Sequence, residues 1–564
     1  VPTATLSRAR VAALLPAAVP ESAWDDLLFA SKAEVESAQG DDLVLSATPD
    51  RLDLLSEGGL GLYLQGVLGS AAGLPRHGSP TGPETVPPLV ADASVEPLRP
   101  VLGAVVVRSP DDRGLDAGLL TEVIRFQELL HATIGRDRRA ASLGIYPLER
   151  LTLPVRYALE PISSVRFVPL DGTEEVTGEQ FFRDHPMAAR YGPLGRSGDR
   201  CLTLRDARGT VLSLPPILNG RTAGEAHAGD RALLLESTGT RERSVREALG
   251  LLLVPFVAQR WLVHPVAVEG PGDRRTDGRS LVEPRPVDLP SALVRSVAGF
   301  PLSSGEVEHR LSRARLGVRP HAGGWTVEAP PWRPDIMAAV DAVEDVILSA
   351  AVRPEDGVVP PSRTRGHRRP EAEFRRRIAS RLLGLGFAMP NTPVLLSEAT
   401  VARVGGRSPI RLQNPVSAEF AYVRDRLLPS HLDVLAHNTR HGYPQRFAEV
   451  APVVVRAPDA EPGAETRYHA GAIVAAESAG FADAAALVDY LLRTLDAGSI
   501  REPAELPGTI PGRAARVRIA GEEVAEVGEL HPRILTELGI PVPVAWAELD
   551  LTALGPLLAR PNRA

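Results

Sequence analysis

Three stretches rich in proline and glycine, residues 73–88, 270–286 and 360–370, break the chain into segments that each have the length of one hydrophobic core. Proline has no backbone N–H to donate and glycine weakens regular structure, so neither helix nor strand should run through them. The segments read as an N-terminal α+β unit over 1–80, a second α+β unit over 90–268, a small helical unit over 286–355 and a last unit over 364–564. A length of 564 residues gives the same three or four domains. With aromatics at 4% against 44% apolar residues, these cores must rest on Leu, Val and Ala.

Within the segments the apolar spacing assigns elements. Ser7 is placed to cap a short helix, residues 42–47 alternate as a strand, and apolar positions recur at helical spacing from Leu54 to Val67. The second segment alternates strands at 101–107, 165–168 and 211–214 with helices over 119–133 and 245–259. The third reads as two helices, a strand pair around Gly323-Gly324 and a helix starting at Asp335. The last opens with a helix over 371–386. Its strands lie at 393–396, 409–412, 446–455, 469–475, 515–519 and 544–549, with helices at 430–439, 483–495 and 532–538. That order predicts a mixed, mostly antiparallel sheet.

Charge and cysteine content exclude several classes. A net charge of −7 and a pI near 6.1 confine any nucleic-acid contact to local patches or a partner. Lys32 is the only lysine among 63 basic residues, a bias that GC-rich coding explains first. The single Cys201 rules out a disulfide framework and any multi-cysteine metal site. No run of 18 apolar residues is present, so no membrane span is expected. Arg8 and Arg10 precede an apolar run from Val11 to Val19, but Pro16 and Pro20 interrupt it, which favours a small core helix over a secretory leader.

The sequence holds no P-loop, GxSxG, HExxH or GxGxxG after a strand. Its densest chemistry is PPWRPDIMAAVDAVED, residues 330–345. On a helix starting at Asp335, with that residue at the N-cap, Asp341, Glu344 and Asp345 share one face. Such a face is either a solvated acidic surface or a site for a hard cation such as Mg²⁺. Spacing alone favours the solvated face. His131, His185, His437, His441 and His531 are scattered and read as surface or core residues.

Nine segments in order resemble the β subunit of phenylalanine–tRNA ligase in its archaeal and eukaryotic form. They are TPDRLDLLSEGGLGLYLQGVLG (48–69), LLHATIGRDRRAASLGIYPLERL (129–151), VLSLPPILN (211–219), LLESTGT (234–240), PPWRPDI with VDAVEDV, LQNPVSAEFAYVRDRLLPSHLDVLAHN (412–438), YPQRFAEV (443–450), IPGRAA (510–515) and GELHPRIL (528–535). The resemblance implies a multidomain α+β protein: an editing domain of mixed strands and helices, a small helical domain, and a class II synthetase-like antiparallel sheet with flanking helices. It implies a cytoplasmic (αβ)₂ heterotetramer with an α subunit that binds ATP and charges tRNA(Phe). It also implies that Asp335, Asp341, Glu344 and Asp345 form a Mg²⁺ site, reversing the reading from spacing.

The family's β subunit carries a degenerate catalytic fold. Here Arg446 to Val450 keep only a trace of the second class II motif, and the last 60 or so residues hold no glycine-rich segment ending in an ATP-binding arginine. The chain alone is therefore expected to form no aminoacyl-adenylate. The resemblance further assigns hydrolytic editing of Tyr-tRNA(Phe) to a pocket of Leu204, Ser213, Glu236 and Thr238. Leu204 would form a wall, Ser213 and Thr238 would offer hydroxyls, and the acid would bind the tyrosine or position water. Two departures fall in this region: Glu236 stands where the family has Asp, and Gly144-Ile145-Tyr146-Pro147 replaces GIHD. Arg136, Arg138 and Arg139 are candidates for guiding the tRNA acceptor end, as are Arg363, Arg365, Arg368 and Arg369 in a linker. Two other readings fit the departures: a recruited or drug-resistant paralogue activating an unusual amino acid, and a structural subunit with an inactive editing site.

Overall fold

The computed structural model describes residues 1–17, 19–20, 23–29, 31–75, 86–111, 113–271, 275–349, 359, 364–405 and 408–559. Arg363 and part of each of the three Pro/Gly-rich stretches lie outside these residues. The fold is multidomain α+β. It divides into two compact units, Val1–Val359 and Pro360–Ala564.

The first unit opens on a three-stranded antiparallel sheet in which Asp42–Ala47 lies between Thr3–Ser7 and Ala33–Gln39. Ser7 caps the helix Arg8–Ala13 by accepting from the Arg10 N–H, as its position before the apolar run predicted. Glu57–Val67 forms the helix expected from the Leu54 periodicity, and it is buried nearly all round.

Two sheets stacked face to face follow. One is a four-stranded antiparallel sheet in the order Leu262–Val266, Val101–Arg108, Ala232–Gly239, Ala141–Pro147. The other is mixed; its centre runs Val211–Leu214, Arg200–Arg205, Arg156–Pro161, Leu89–Ala91, the last two parallel. Leu102, Ala104, Val106, Tyr146, Leu204, Leu212 and Leu234 fill the space between them. Alternate residues of the same strands, among them Val105, Val107, Leu233 and Leu235, face the helices Ala117–Ala132 and Glu242–Leu252. Burial on both faces explains why Leu233, Leu234 and Leu235 follow one another without polar alternation.

The helix expected over 245–259 is broken at Leu253 into Glu242–Leu252 and Val254–Ala258. Pro255 has no N–H to continue the first segment and sits in the opening turn of the second. The region after 285 forms the sheet Arg285–Pro290, Gly324–Ala329, Gly317–His321, with helices Ser291–Ala298, Ser304–Arg313 and Ala339–Leu348 around Trp325, Val327 and Ile336. The last helix begins at Ala339, not at Asp335. The Asp341 carboxylate reaches back to the N–H groups of Met337 and Ala338 and sets the start there.

The second unit is built on a six-stranded, wholly antiparallel sheet in the order Gln445–Arg456, Ala464–Ala475, Val544–Asp550, Glu522–Leu530, Thr509–Ile519, Ile500–Pro503. Helices Pro370–Gly384 and Phe481–Arg493 cover one apolar face through Ile378, Val488, Leu491, Val517, Val527 and Ala547. Among the described residues no helix is long and apolar enough to cross a membrane.

Candidate functional site

The space between the stacked sheets holds the polar centre of the first unit. Register places Leu234 opposite Tyr146, Glu236 opposite Gly144 and Thr238 opposite Ser142. Because side chains alternate along a strand, all six positions share one face. That face looks toward the other sheet, where Leu204 and Ser213 are themselves paired across neighbouring strands. The structure thus brings together all four residues expected to form the pocket, each at most 3% exposed.

Tyr146 joins them. Its phenol oxygen is 3.0 Å from Glu236 Oε1 and 2.9 Å from Ser213 Oγ, and the residue is wholly buried. A phenol has one proton, so it donates to the carboxylate while the serine hydroxyl donates to it. The other carboxylate oxygen, Oε2, is buried with no hydrogen-bond partner. Burial pushes the Glu236 carboxyl up to about 7, against the Tyr146 hydrogen bond and the positive charge of Arg99. Burial and the Glu236 charge push the Tyr146 phenol well up as well, so it stays protonated.

Thr238 is held differently. Arg99 donates through Nε to its hydroxyl at 2.9 Å and through Nη2 to its carbonyl at 2.6 Å, with Ser142 Oγ a further 3.0 Å from the hydroxyl. Arg99, Ser142, Gly144 and Tyr146 were not among the candidates drawn from sequence. The Gly-Ile-Tyr departure pointed at Tyr146, but only the strand register shows it beside Glu236.

A cavity of about 110 Å³ adjoins this centre, its wall including Gln127, His131, Arg138, Ser142 and Asn219. Arg138 is a correction to the tRNA-facing set. It is buried, donating to the carbonyls of Pro216 and Ile217 and to Glu128, and stacks 4.6 Å from the Tyr191 ring. The turn at 136–138 has positive φ throughout, which directs Arg138 inward while Arg136 and Arg139 stay exposed. His131 is a core residue, as expected: its Nε2 accepts from the Leu143 N–H at 2.8 Å.

The acidic cluster does not converge. Asp335 and Asp345 lie in the core and share the guanidinium of Arg333, whose Nη2 is 2.7 Å from one and 2.6 Å from the other. The buried pair Arg51–Asp53, from the TPDR segment, lies close enough for its charges to act on this group. Asp341 caps the helix. Glu344 points to solvent and pairs with Lys32 at 2.7 Å, where Lys32 also meets Asp50. Mg²⁺ needs oxygens gathered around one point in near-octahedral array. As arranged, the four acids do not fit that ion; the cation in contact with Asp335 and Asp345 is Arg333. Among the described residues no three His, Cys, Asp or Glu groups are placed to hold a metal.

In the second unit, a cavity of about 270 Å³ opens on the sheet beside Arg467, His469, Glu523, Glu526, Glu548 and Asp550. Glu548 accepts the N–H groups of Leu427 and Leu428 and lies 2.7 Å from His469 Nδ1. Arg467 pairs with Asp550 and Glu465, and Arg426 with Glu526. Burial pulls the His469 imidazole down, but Asp550 and Glu548 outweigh it and raise it to about 9. The cavity is therefore acid-rich, and the arginine that lines it, Arg467, is engaged by carboxylates.

Comparison with known proteins agrees with this architecture. Residues 287–349 match the tRNA synthetase B5 domain and residues 357–551 the phenylalanyl tRNA synthetase beta chain CLM domain. The chain is 31% identical to the phenylalanine–tRNA ligase β subunit of Thermofilum pendens, over 95% of each. It is also 31% identical to that of Natronomonas pharaonis, over 95% of this chain and 97% of the relative. Among solved structures, an N-terminal fragment of the Pyrococcus horikoshii phenylalanyl-tRNA synthetase β subunit aligns with TM-score 0.57 and 25% identity, over 62% of this chain and all of the fragment.

Proposed function

The chain belongs to the family of phenylalanine–tRNA ligase β subunits, and on that premise we propose that it works only with an α subunit, which condenses phenylalanine with ATP and transfers it to tRNA(Phe). The pair assembles as a cytoplasmic (αβ)₂ heterotetramer, and the β chain contributes tRNA contacts and a platform for its partner.

The observation that carries this division of labour is the acidic cavity on the Gln445–Asp550 sheet. ATP is a polyanion whose α-phosphate gains negative charge as the adenylate forms, and a synthetic site must meet it with unengaged cations. Here Glu523, Glu526, Glu548 and Asp550 line the cavity, and Arg467 and Arg426 are already bound to acids. Phosphate would be repelled. Phenylalanine-dependent exchange of pyrophosphate into ATP is the test: it should be absent with this chain alone and present once the α subunit is added. Exchange by the chain alone would overturn the proposal, and activation by the pair of another amino acid in place of phenylalanine would favour a recruited paralogue.

The Glu236 pocket, whose acid and serine are bonded to Tyr146, is the place in the fold where removal of tyrosine from tRNA(Phe) would occur in a chain that edits.

A further inference from the structure

Resting on the reading that the Glu236 pocket is where tyrosyl-tRNA would be hydrolysed, we propose that Tyr146 is the residue that fixes its specificity. From within the chain it supplies the phenol that Glu236 and Ser213 would otherwise take from a tyrosyl group, and so it shuts tyrosine out.

The geometry is that of an occupied recognition site. A pocket that tells tyrosine from phenylalanine must offer the phenol hydroxyl a buried acceptor and a hydroxyl partner. Glu236 and Ser213 are that pair, and both are spent on Tyr146 at 3.0 and 2.9 Å. The Tyr146 side chain reaches them across Gly144, the residue opposite Glu236. A Cβ at Gly144 would overlap both the Tyr146 phenol oxygen and Glu236 Oε1, so glycine is what allows tyrosine and acid to meet there. The contact is part of a packed core, since Tyr146 is wholly buried among Leu102, Ala104, Leu204 and Leu234.

The space left open beside this contact is small. The adjoining cavity of about 110 Å³ is lined in part by Glu236 and Ser213 themselves. Glu236 Oε2 is left as a buried acceptor without a partner beside the Tyr146 contact. Exclusion of tyrosine then falls to the synthetic site of the α subunit, and an apolar pocket rejects an added hydroxyl by only ~10²-fold.

The test measures hydrolysis of Tyr-tRNA(Phe) by the αβ complex. In that reaction water adds to the ester carbonyl and the bond to the terminal ribose oxygen breaks. Tyrosine leaves as its carboxylate with release of a proton, and the ribose hydroxyl is restored. The wild-type complex should hydrolyse Tyr-tRNA(Phe) no faster than the uncatalysed reaction. Tyr146→Ala should raise the rate at least ~10-fold, and adding Glu236→Gln to it should remove the gain. Tyr146→Phe, which keeps the ring in place, should stay at the wild-type level. Wild-type hydrolysis well above background would overturn the proposal without any variant. So would a Tyr146→Ala complex that still charges phenylalanine but gains no hydrolysis. Should the wild type hydrolyse Tyr-tRNA(Phe), Glu236→Gln separates the two: loss of the rate keeps the pocket and overturns only the role of Tyr146, whereas an unchanged rate overturns the pocket itself.

Discussion

The Arg333 guanidinium lies 2.6 Å from the Asp345 carboxylate in the interior of the first unit, each side chain at most 4% exposed. It contacts Asp335 with the same nitrogen and thereby joins two of the acids expected to hold Mg²⁺. Removing a buried charge that is paired costs about 3–5 kcal/mol, because its partners are left uncompensated. Arg333→Met should therefore lower stability by about that amount in denaturant unfolding. Transfer of the full chain from Mg²⁺ into EDTA should leave the unfolding midpoint unchanged. A clear drop in EDTA would mean that the acids hold an ion after all.

Glu236 should make stability depend on pH in a definite direction. Its folded carboxyl titrates near 7, against 4.5 in the unfolded chain. Between those values the unfolded state releases a proton that the folded state keeps, so stability falls as pH rises and levels off above about 7. The loss is about 3 kcal/mol at most. Glu236→Gln should match wild type at pH 5 and be more stable at pH 8. Glu122, also pushed up to about 7 by burial and by Glu57, keeps a similar slope in both proteins, so the difference between them is the measurement.

His469 gives the complementary case in the second unit. Its folded value near 9 exceeds the ordinary 6.5, so its contribution is fully present below about 6.5 and disappears as pH rises through 9. Thermal unfolding of wild type against His469→Gln should show the largest gap at pH 6 and little at pH 10. A gap that persists at pH 10 would reduce His469 to a packing residue.

The three arginines of the 136–139 turn should separate by effect. Arg136→Ala with Arg139→Ala should weaken tRNA(Phe) binding by the αβ complex about 10-fold and flatten its salt dependence, with the fold unchanged. Arg138→Ala should instead destabilise the chain, because Glu128 and two carbonyls lose their donor. Equal effects of Arg138 and Arg139 on binding alone would contradict the burial of Arg138.

Much of this architecture was legible in the chain. Strand residues 42–47, 101–107, 211–214 and 446–455 appear in place because β-branched or alternating runs end at turns. The strands Glu522–Leu530 and Ile500–Pro503 were missed: the first opens on charged residues, and the second is exposed along its length. At the candidate pocket, the resemblance supplied Leu204, Ser213, Glu236 and Thr238. The Gly144-to-Pro147 departure singles out Tyr146, but its contact with Glu236 depends on pairing register, which places it two residues along from the position opposite Glu236. The acids at 335–345 misled for a local reason. Helical spacing put them on one face, but Asp341 ends as a cap and Arg333, two residues before Asp335, draws Asp335 and Asp345 inward.

Attachment of phenylalanine to tRNA(Phe) by the purified pair, set against each subunit alone, puts to the test the proposal that this chain acts only with its partner. Charging should require both chains and should select phenylalanine from the amino acids offered. Charging of tRNA(Phe) by this chain without its partner, or failure of the pair to use phenylalanine, would contradict it.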